Sequence, residues 1–448
     1  MSILFYHIFL WLYRTGIRLV SRWNRKARLW LDGREGIFDS IRREMGQSPG
    51  GSLSGRTGEA PSTLRAVRPL IWMHCASLGE FEQGRPLLEK IREQYPGYTI
   101  VLTFFSPSGY EIRKNYEGVH HVFYLPLDSR KNARTFIDLV RPELVLWVKY
   151  DYWYYYLSEL KKRNIPTLLI SGVFRKDQPF FKWYGRLHRY MLECFTHIFV
   201  QTEAAKKLLG TLGLSNQVSV SGDTRFDRVI GIAEEPAQLP SIEAFCGDRT
   251  VVVAGSTWEE DEEELDHYAN THRDMRFIIA PHEIGEDRLQ EVEKLFRYSI
   301  RYSQWEKLGP QAGTGYRGGQ APNTLIIDNI GLLSRLYKYA TISYVGGGFG
   351  DDGVHNVLEA AVYGKPVVFG PVIEKYVEAV ELADCGGGLV IDSALEAESV
   401  FERLLSNSHD YRLTCEASRD YVYSKRGATE KITGYIREHR LLTRAAGG

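Results

Sequence analysis

The sequence carries no net charge, because 56 Lys and Arg are matched by 56 Asp and Glu. A protein that grips nucleic acid over a broad face needs a surplus of cations, so that function is excluded for the chain as a whole and any basic surface must be local. Cysteine is scarce. The five residues Cys75, Cys194, Cys246, Cys385 and Cys415 are scattered, with no C-x-x-C and no partnered His spacing, which excludes a structural zinc site and points to a reducing compartment. A long hydrophobic run is missing too. The apolar stretch Ile3 to Tyr13 falls short of the roughly 20 residues a bilayer requires, and it lacks the leading charges and small-residue cleavage site of a signal peptide.

What is present is the composition of a folded soluble protein, 44% hydrophobic and 25% charged over 448 residues. At roughly 150 residues per domain that length predicts two or three units. Charge becomes local at the N-terminus, where Arg14, Arg18, Arg22, Arg25, Lys26 and Arg28 follow the apolar stretch at helix-like intervals. Residues 1–45 are expected to form a membrane-associated helical segment, with Trp11, Trp23 and Trp30 at headgroup depth and the arginines on anionic lipid; a buried amphipathic helix is the alternative. Residues 46–66 read as a flexible Gly/Ser/Pro linker, and a second such loop runs from Leu308 to Pro322.

Beyond the linker, strand-like runs alternate with helical patterns. They are Leu70–His74, Thr99–Phe104, His121–Tyr124, Leu144–Val148, Thr167–Ser171, Ile198–Gln201 and Val218–Ser221, then, after a polar connection from Ile232 to Asp248, Thr250–Ala254, Arg276–Ala280, Thr324–Asp328, Ala340–Val345, Pro366–Phe369 and Gly388–Ile391. Such alternation predicts an α/β fold with parallel sheets in two similar halves, residues 67–235 and 236–448. Ligands of open parallel sheets bind beyond the carboxyl ends of the strands, and the expected site is a cleft between the halves.

The loops at those strand ends carry the chemistry. Val345 to Gly370, VGGGFGDDGVHNVLEAAVYGKPVVFG, reads as strand, glycine loop and helix, an order suited to a phosphate. Gly348 to Gly353 also spells G-x-G-x-x-G with Glu374 downstream, which keeps a nicotinamide oxidoreductase open as an alternative, although the next strand ends in Gly370-Pro371 where a ribose-reading acid would stand. Asn356 with Glu359, and Ser77 with Glu80, are spaced as capping boxes; the same glutamates are placed to hold ribose hydroxyls or to act as a general base. Arg175 and Arg225 are cations able to grip phosphate or carboxylate, or surface ion-pair partners. The acidic run Glu259 to Glu264 reads as a solvated helix start. Asp351-Asp352 has no further ligand at metal-binding spacing, so no catalytic metal is expected. The cluster Tyr150, Tyr152, Trp153, Tyr154, Tyr155 and Tyr156 reads as packing, with contact to an acyl or sugar ring as the alternative.

Taken in order, these motifs resemble the 3-deoxy-D-manno-octulosonic acid (Kdo) transferases. HCASLGE (His74 to Glu80) is similar to the family's H-x-x-S-x-G-E, SGDTRFD to its G-N-x-K-F-D, GSTWEEDEEEL to its S-T-H-x-G-E-E-E, and VGGGF…GVHNVLEAA…GKPVVFGP to its V-G-G-S…G-G-H-N-x-L-E-P-A…G-x-P-V-x-x-G-P. The resemblance covers about Leu70 to Ile391. It implies the GT-B fold, two Rossmann-like domains, and an inverting, metal-independent enzyme without cofactor that moves Kdo from CMP-Kdo to a lipid A precursor at the cytoplasmic face of the bacterial inner membrane. Glu80 matches the family's general base, Arg225 stands where the family has a transition-state Lys, and Asp151 where it has a carboxylate. Pro281 and His282, the turn Ile330, Gly331 and Leu332, the glycines Gly347 and Gly348, and Asn356, Val357, Leu358 and Glu359 match its CMP-binding segments. Three places depart from the pattern: Pro281-His282-Glu283 replaces P-R-H and loses an Arg, Leu332 replaces a carboxylate, and Lys149-Tyr-Asp-Tyr-Trp153 replaces E-x-E-L-W. Another GT-B nucleotide-sugar enzyme, a UDP-sugar transferase or epimerase, is the rival within the class, and a non-catalytic membrane-surface scaffold the rival outside it.

Overall fold

The computed structural model describes residues 3–46, 68–236, 238–308 and 321–443. The expected linker lies outside the described residues, as does most of the second Gly-rich loop. The chain divides into two units, Met1–Arg228 with Gly427–Gly448, and Val229–Arg426.

The first unit is built on a seven-stranded parallel sheet, β1 (Leu70–Cys75), β2 (Thr99–Phe104), β3 (His121–Tyr124), β4 (Leu144–Val148), β5 (Thr167–Gly172), β6 (His197–Val200) and β7 (Val218–Val220), in the order β3-β2-β1-β4-β5-β6-β7. Its central strands are buried throughout, the pattern expected when helices cover both faces. Trp72, Val101, Val145 and Trp147 point to one face; Ile71, Met73, Leu102 and Leu146 point to the other.

The C-terminal helix Ala428–Glu438 returns to this unit, so the boundary is not the single crossing near residue 235 that the sequence suggests. Two contacts explain the return. Ile432 and Ile436 are buried in the same cluster as Leu102 and Leu168, and the Asp227 carboxylate accepts the Gly427 and Thr429 N–H groups at 2.7 and 2.6 Å. Burial of each isoleucine contributes about 2 kcal/mol, enough to fix the helix there.

Three helices precede the sheet, α1 (Ile3–Val20), α2 (Arg25–Asp32) and α3 (Ile37–Gly46). By length and composition α1 is long and apolar enough to cross a membrane, because the helix continues past the apolar run that ends at Tyr13. One stripe of it is docked: Tyr6 and Leu10 are buried, and the Tyr6 hydroxyl donates to the Asp128 carboxylate at 2.6 Å. Asp128 also accepts the Tyr155 and Tyr156 N–H groups at 2.9 and 3.2 Å. The rest of α1 is bare, with Leu4, Phe5 and Trp11 each 60% exposed or more. Trp11 and Trp23 are therefore available at a surface, but Trp30 is not; it is buried edge-on against Tyr13 and Phe105. Tyr154 and Tyr155 pack against Tyr6, and Tyr156 is fully buried with its hydroxyl donating to the Pro126 carbonyl at 3.0 Å.

The second unit repeats the architecture with β8 (Val251–Thr257), β9 (Arg276–Pro281), β10 (Ser299–Arg301), β11 (Thr324–Ile326), β12 (Ile342–Val345), β13 (Val367–Phe369) and β14 (Gly388–Val390), ordered β10-β11-β9-β8-β12-β13-β14 and parallel throughout. β10 has no counterpart among the expected strands. It is three residues long with only Ile300 buried, too short for a periodic signal, and pairing with β11 defines it.

Removing the hub carboxylate should release α1. Asp128→Ala leaves three donors without their buried acceptor and should lower stability by about 3 kcal/mol or more, against about 1 kcal/mol for Tyr6→Phe. Denaturant melts check the ordering, and limited proteolysis should show cleavage within residues 3–46 rising in step.

Candidate active site

In each sheet one pair of neighbouring strands marks the point where the strand order reverses, β1 with β4 in the first unit and β8 with β12 in the second. Crossovers leave in opposite directions there and open a crevice at the carboxyl ends. The sequence-derived residues fall on those ends.

Glu80 follows β1, in the first turn of the helix Leu78–Gln94. Ser77 caps that helix by accepting the Glu80 N–H, but the Glu80 carboxylate does not return to Ser77; it accepts the N–H of Ala76. The pair is thus half of a capping box, with the carboxylate turned to the strand end. Burial and the nearby Asp151 carboxylate push the Glu80 acid up to about 7, against the pull of the Ala76 and Tyr150 N–H groups and Lys149. An acid held there is balanced between proton acceptor and donor near neutrality, as a general base requires.

Asp151 follows β4 and lies 3.7 Å from Nε2 of His74, a fully buried residue whose Nδ1 is 2.9 Å from Thr103 Oγ1. Among the described residues neither the His74 Nε2 nor the Asp151 Oδ2 atom has a hydrogen-bond partner. Arg225, after β7, is gripped by Asp223, which accepts from its backbone N–H at 2.9 Å and from its Nε and Nη2 at 2.8 Å. Glu80, Arg175, Asp223 and Arg225 all act electrostatically on Tyr150, whose ring is 44% exposed in their midst. The first unit therefore gathers Glu80, Asp151 and Arg225 into one neighbourhood, together with Lys149, Asp223 and Arg175.

Backbone strain marks the carboxyl edge of each sheet. Lys149, Ser171 and Ser256 take positive φ of 58°, 55° and 54° at the ends of β4, β5 and β8. Non-glycine residues held there cost about 1 kcal/mol or more each and persist where the surroundings dictate them.

In the second unit the glycine run serves close packing. A Cβ on Gly346 would stand 2.4 Å from the Ser256 carbonyl oxygen, and one on Gly348 2.6 Å from the Gly370 nitrogen, so the loops after β8, β12 and β13 meet backbone to backbone. The Gly347 N–H donates to Asp261 at 2.7 Å, and the helix that follows is only Leu358–Ala361, four residues. The Gly347 amide is thus engaged by protein, and one helical turn carries little dipole. Asp261 also accepts the Trp258 N–H at 2.9 Å and the Tyr344 hydroxyl at 2.8 Å. It and Glu262 are buried, which corrects the reading of the acidic run as wholly solvated: Glu262 accepts from Thr257 at 2.7 Å and pairs with Arg288.

Pro281 ends β9, and the exposed His282 beyond it stacks on Trp258 and on His355, ring centroids 4.6 Å apart in both pairs. The Trp258 Nε1–H donates to His355 Nε2 at 2.9 Å, fixing that imidazole as an acceptor, and burial lowers its basicity. Asn356 donates to Glu359 at 2.9 Å while its own oxygen accepts the Leu358 N–H, so the pair is held together locally. Val357 and Leu358 are fully buried core side chains. Ile330, Gly331 and Leu332 form a turn beyond β11, with Ile330 89% exposed and Gly331 at φ 101°. Trp258, Asp261 and His355 complete this edge; Asp261 is at the third position after Trp258, the spacing of a cap, which is the signal that could have singled it out.

The Gly348–Gly353 motif follows the fifth strand of its sheet in chain order, whereas a dinucleotide fingerprint follows the first, so the nicotinamide reading is not supported by topology. Among the described residues no group of three or more His, Cys, Asp or Glu side chains is arranged to hold a metal.

Comparison with known proteins agrees with this layout. Residues 51–228 match the family model for 3-deoxy-D-manno-octulosonic-acid transferase (kdotransferase). A bifunctional glycosyltransferase/methyltransferase of Fusobacterium nucleatum is 26% identical over 83% of this chain; the chain spans about half of that protein, 55% of its length. A 3-deoxy-D-manno-octulosonic acid transferase of Chlamydia trachomatis is 27% identical over 82% of this chain and 85% of its own. In fold, the UDP-GlcNAc 2-epimerase of Neisseria meningitidis superposes with a TM-score of 0.58 at 15% identity, covering 82% of this chain and all (100%) of that one. Two units of parallel seven-stranded sheet define the class, the GT-B fold. Within that class residues 51–228 match the model of the Kdo transferases, and the chain is similar to a curated Kdo transferase over about four fifths of its length.

The Glu80 acid has a stability signature. Its folded value of about 7 lies above the ordinary 4.5, so the folded state holds the proton more tightly, and ionisation works against folding progressively from pH 4.5 to 7. The difference corresponds to about 3 kcal/mol. Glu80→Gln, which cannot ionise, should gain stability relative to wild type across that window and hold the gain at higher pH; thermal melts from pH 4 to 8 check it.

Proposed function

We propose that the chain transfers Kdo from CMP-Kdo to a lipid A precursor, lipid IVA, with inversion and without a metal ion, at the cytoplasmic face of the bacterial inner membrane. The observation that carries the proposal is the Glu80 carboxyl at the β1–β4 switch point, raised to about 7 by burial and the Asp151 carboxylate against the pull of Lys149. Likeness to the Kdo transferases supplies the sugar; the chemistry follows from charge.

Kdo bears a carboxylate beside its anomeric carbon, and CMP departs as a phosphate monoester that needs no proton at neutral pH. The enzyme must take a proton from the attacking sugar hydroxyl and balance two anions. Glu80 as base takes the hydroxyl proton while the hydroxyl oxygen forms the new bond to the anomeric carbon and the bond to the CMP phosphate oxygen breaks. Asp151 positions this step by keeping the Glu80 acid basic, and Asp223 holds Arg225 in a fixed direction for an anion. The second unit takes the nucleotide at its carboxyl edge, where the His282, Trp258 and His355 rings offer stacking and Glu359 accepts from ribose hydroxyls. The bare side of α1 and its arginines set the enzyme on an anionic membrane surface.

The epimerase-like fold favours one second reading, an enzyme of a UDP-sugar, which competition by CMP against UDP separates. Mass analysis of a tetraacyl lipid A precursor incubated with CMP-Kdo should show a Kdo-sized increase that persists in EDTA and vanishes with folded Glu80→Ala. The acid limb of kcat should fall near pH 7 and move lower in Asp151→Asn, since the lost charge eases ionisation of Glu80. Glu359→Gln should raise the CMP-Kdo KM about tenfold with a smaller effect on kcat, as expected for one lost charged hydrogen bond. An unchanged KM removes the ribose role, and no transfer by wild type removes the proposal.

A further inference from the structure

The first unit holds a cavity of about 980 Å3 that the transfer chemistry does not use. It lies between the N-terminal helices and the start of the helix Arg130–Val140, and Arg14, Arg18, Arg42 and Lys131 line it. Leu31, Ile37, Phe38 and Leu127, all partly buried against the main core, supply the apolar part of its lining. The volume is that of a ligand site.

The charges sort into those already engaged and those left over. Arg34 faces the cavity, but its guanidinium donates to the carbonyls of Leu125, Trp30 and Phe105 at 3.0, 3.0 and 2.7 Å and lies over the Trp30 ring. Arg42 pairs with Asp39 at 2.7 Å. Arg14, Arg18 and Lys131 have no carboxylate partner among the described residues, and five Lys and Arg against Asp32, Glu35 and Asp39 leave the lining cationic on balance. The start of the 130–140 helix, capped by Ser129, adds the positive end of its dipole. Residues 3–46 as a whole carry nine Lys and Arg against four Asp and Glu, within a chain of zero net charge.

The second observation is where α1 leads. Leu4, Ile8 and Trp11 are exposed, and with Arg14 and Arg18 they follow the three- and four-residue spacing of one helix face. An apolar stripe therefore runs directly into the cationic cavity. That sequence of surfaces matches an amphiphile whose tail is apolar and whose head is a phosphate anion.

We propose that this cavity binds the phosphodiester headgroup of an anionic phospholipid, with acyl chain along Leu4, Ile8 and Trp11 and phosphate against Arg14, Arg18 and Lys131. It deepens the membrane-surface part of the proposed function. The lipid is a docked ligand that orients the enzyme, separate from the glycolipid acceptor.

The test is calorimetry of the full chain in neutral detergent with short-chain phosphatidylglycerol, phosphatidylcholine and inorganic phosphate. Wild type should bind one phosphatidylglycerol saturably and phosphatidylcholine at least about tenfold more weakly. Arg14→Gln/Arg18→Gln/Lys131→Gln should lose about tenfold or more, while Arg22→Gln/Arg25→Gln/Lys26→Gln, removing equal charge outside the cavity, should bind as wild type. Equal loss in both variants would reduce the effect to diffuse attraction and overturn the site. Inorganic phosphate binding as tightly as the lipid would overturn it in favour of a free-anion site. A raised acceptor KM for the cavity variant, assayed without phospholipid, would overturn it in favour of an acceptor site; unchanged transfer supports it. Wild-type transfer that fails while lipid binding holds would remove the catalytic proposal alone.

Discussion

Every strand in either sheet runs the same way, so every return passes outside the sheet, and all loops that leave the carboxyl ends collect on one edge. The order reverses between β1 and β4 and again between β8 and β12. Residues 80, 151 and 225 meet because each follows a strand of the first sheet, β1, β4 and β7. The cost of this arrangement is visible locally, as left-handed backbone at Lys149, Ser171 and Ser256 and as glycines that touch backbone on two sides.

Four buried carboxyls show how context separates similar groups. Asp128, Asp261 and Glu262 are satisfied from several directions, by hydroxyls, backbone N–H groups or Arg288, and they lock α1, the glycine loop and the helix Glu259–Thr271 respectively. Glu80 is comparably buried but has backbone donors only and a second carboxylate beside it. A group satisfied all round is structural. Burial raises Glu262 to about 7 as well, beside Asp261, so what sets Glu80 apart is its place at the end of β1 with backbone donors in place of an arginine and a hydroxyl.

The N-terminal segment follows a related logic. α1 gives one stripe to the core through Tyr6 and Leu10 and keeps the rest for the surroundings, which is why its mean hydropathy suits a bilayer while its contacts suit a docked helix. The same duality misleads a reading by composition. Trp30 shares the residue type and basic neighbourhood of Trp11 and Trp23, yet it lies under Tyr13 and Phe105, because α2 turns that side of itself inward.

Local pattern by itself determined the strands, the parallel class and most of the strand-end loops, because apolar β-branched runs between turns cannot bury themselves in another way. It placed Glu80, Asp151, Arg225, His282 and Glu359 beyond strand ends. It missed β10, too short to carry a period, and Asp261, whose one sequence mark is its cap spacing after Trp258 inside an acidic run. The return of residues 428–438 to the first unit was decided only by tertiary structure, since Asp227 and the apolar slot that receives Ile432 and Ile436 are remote in sequence. So was the raised acid of Glu80. A carboxylate's environment is set by what folding brings within a few ångströms, and neither Asp151 nor the loss of water around it is a property of the HCASLGE stretch.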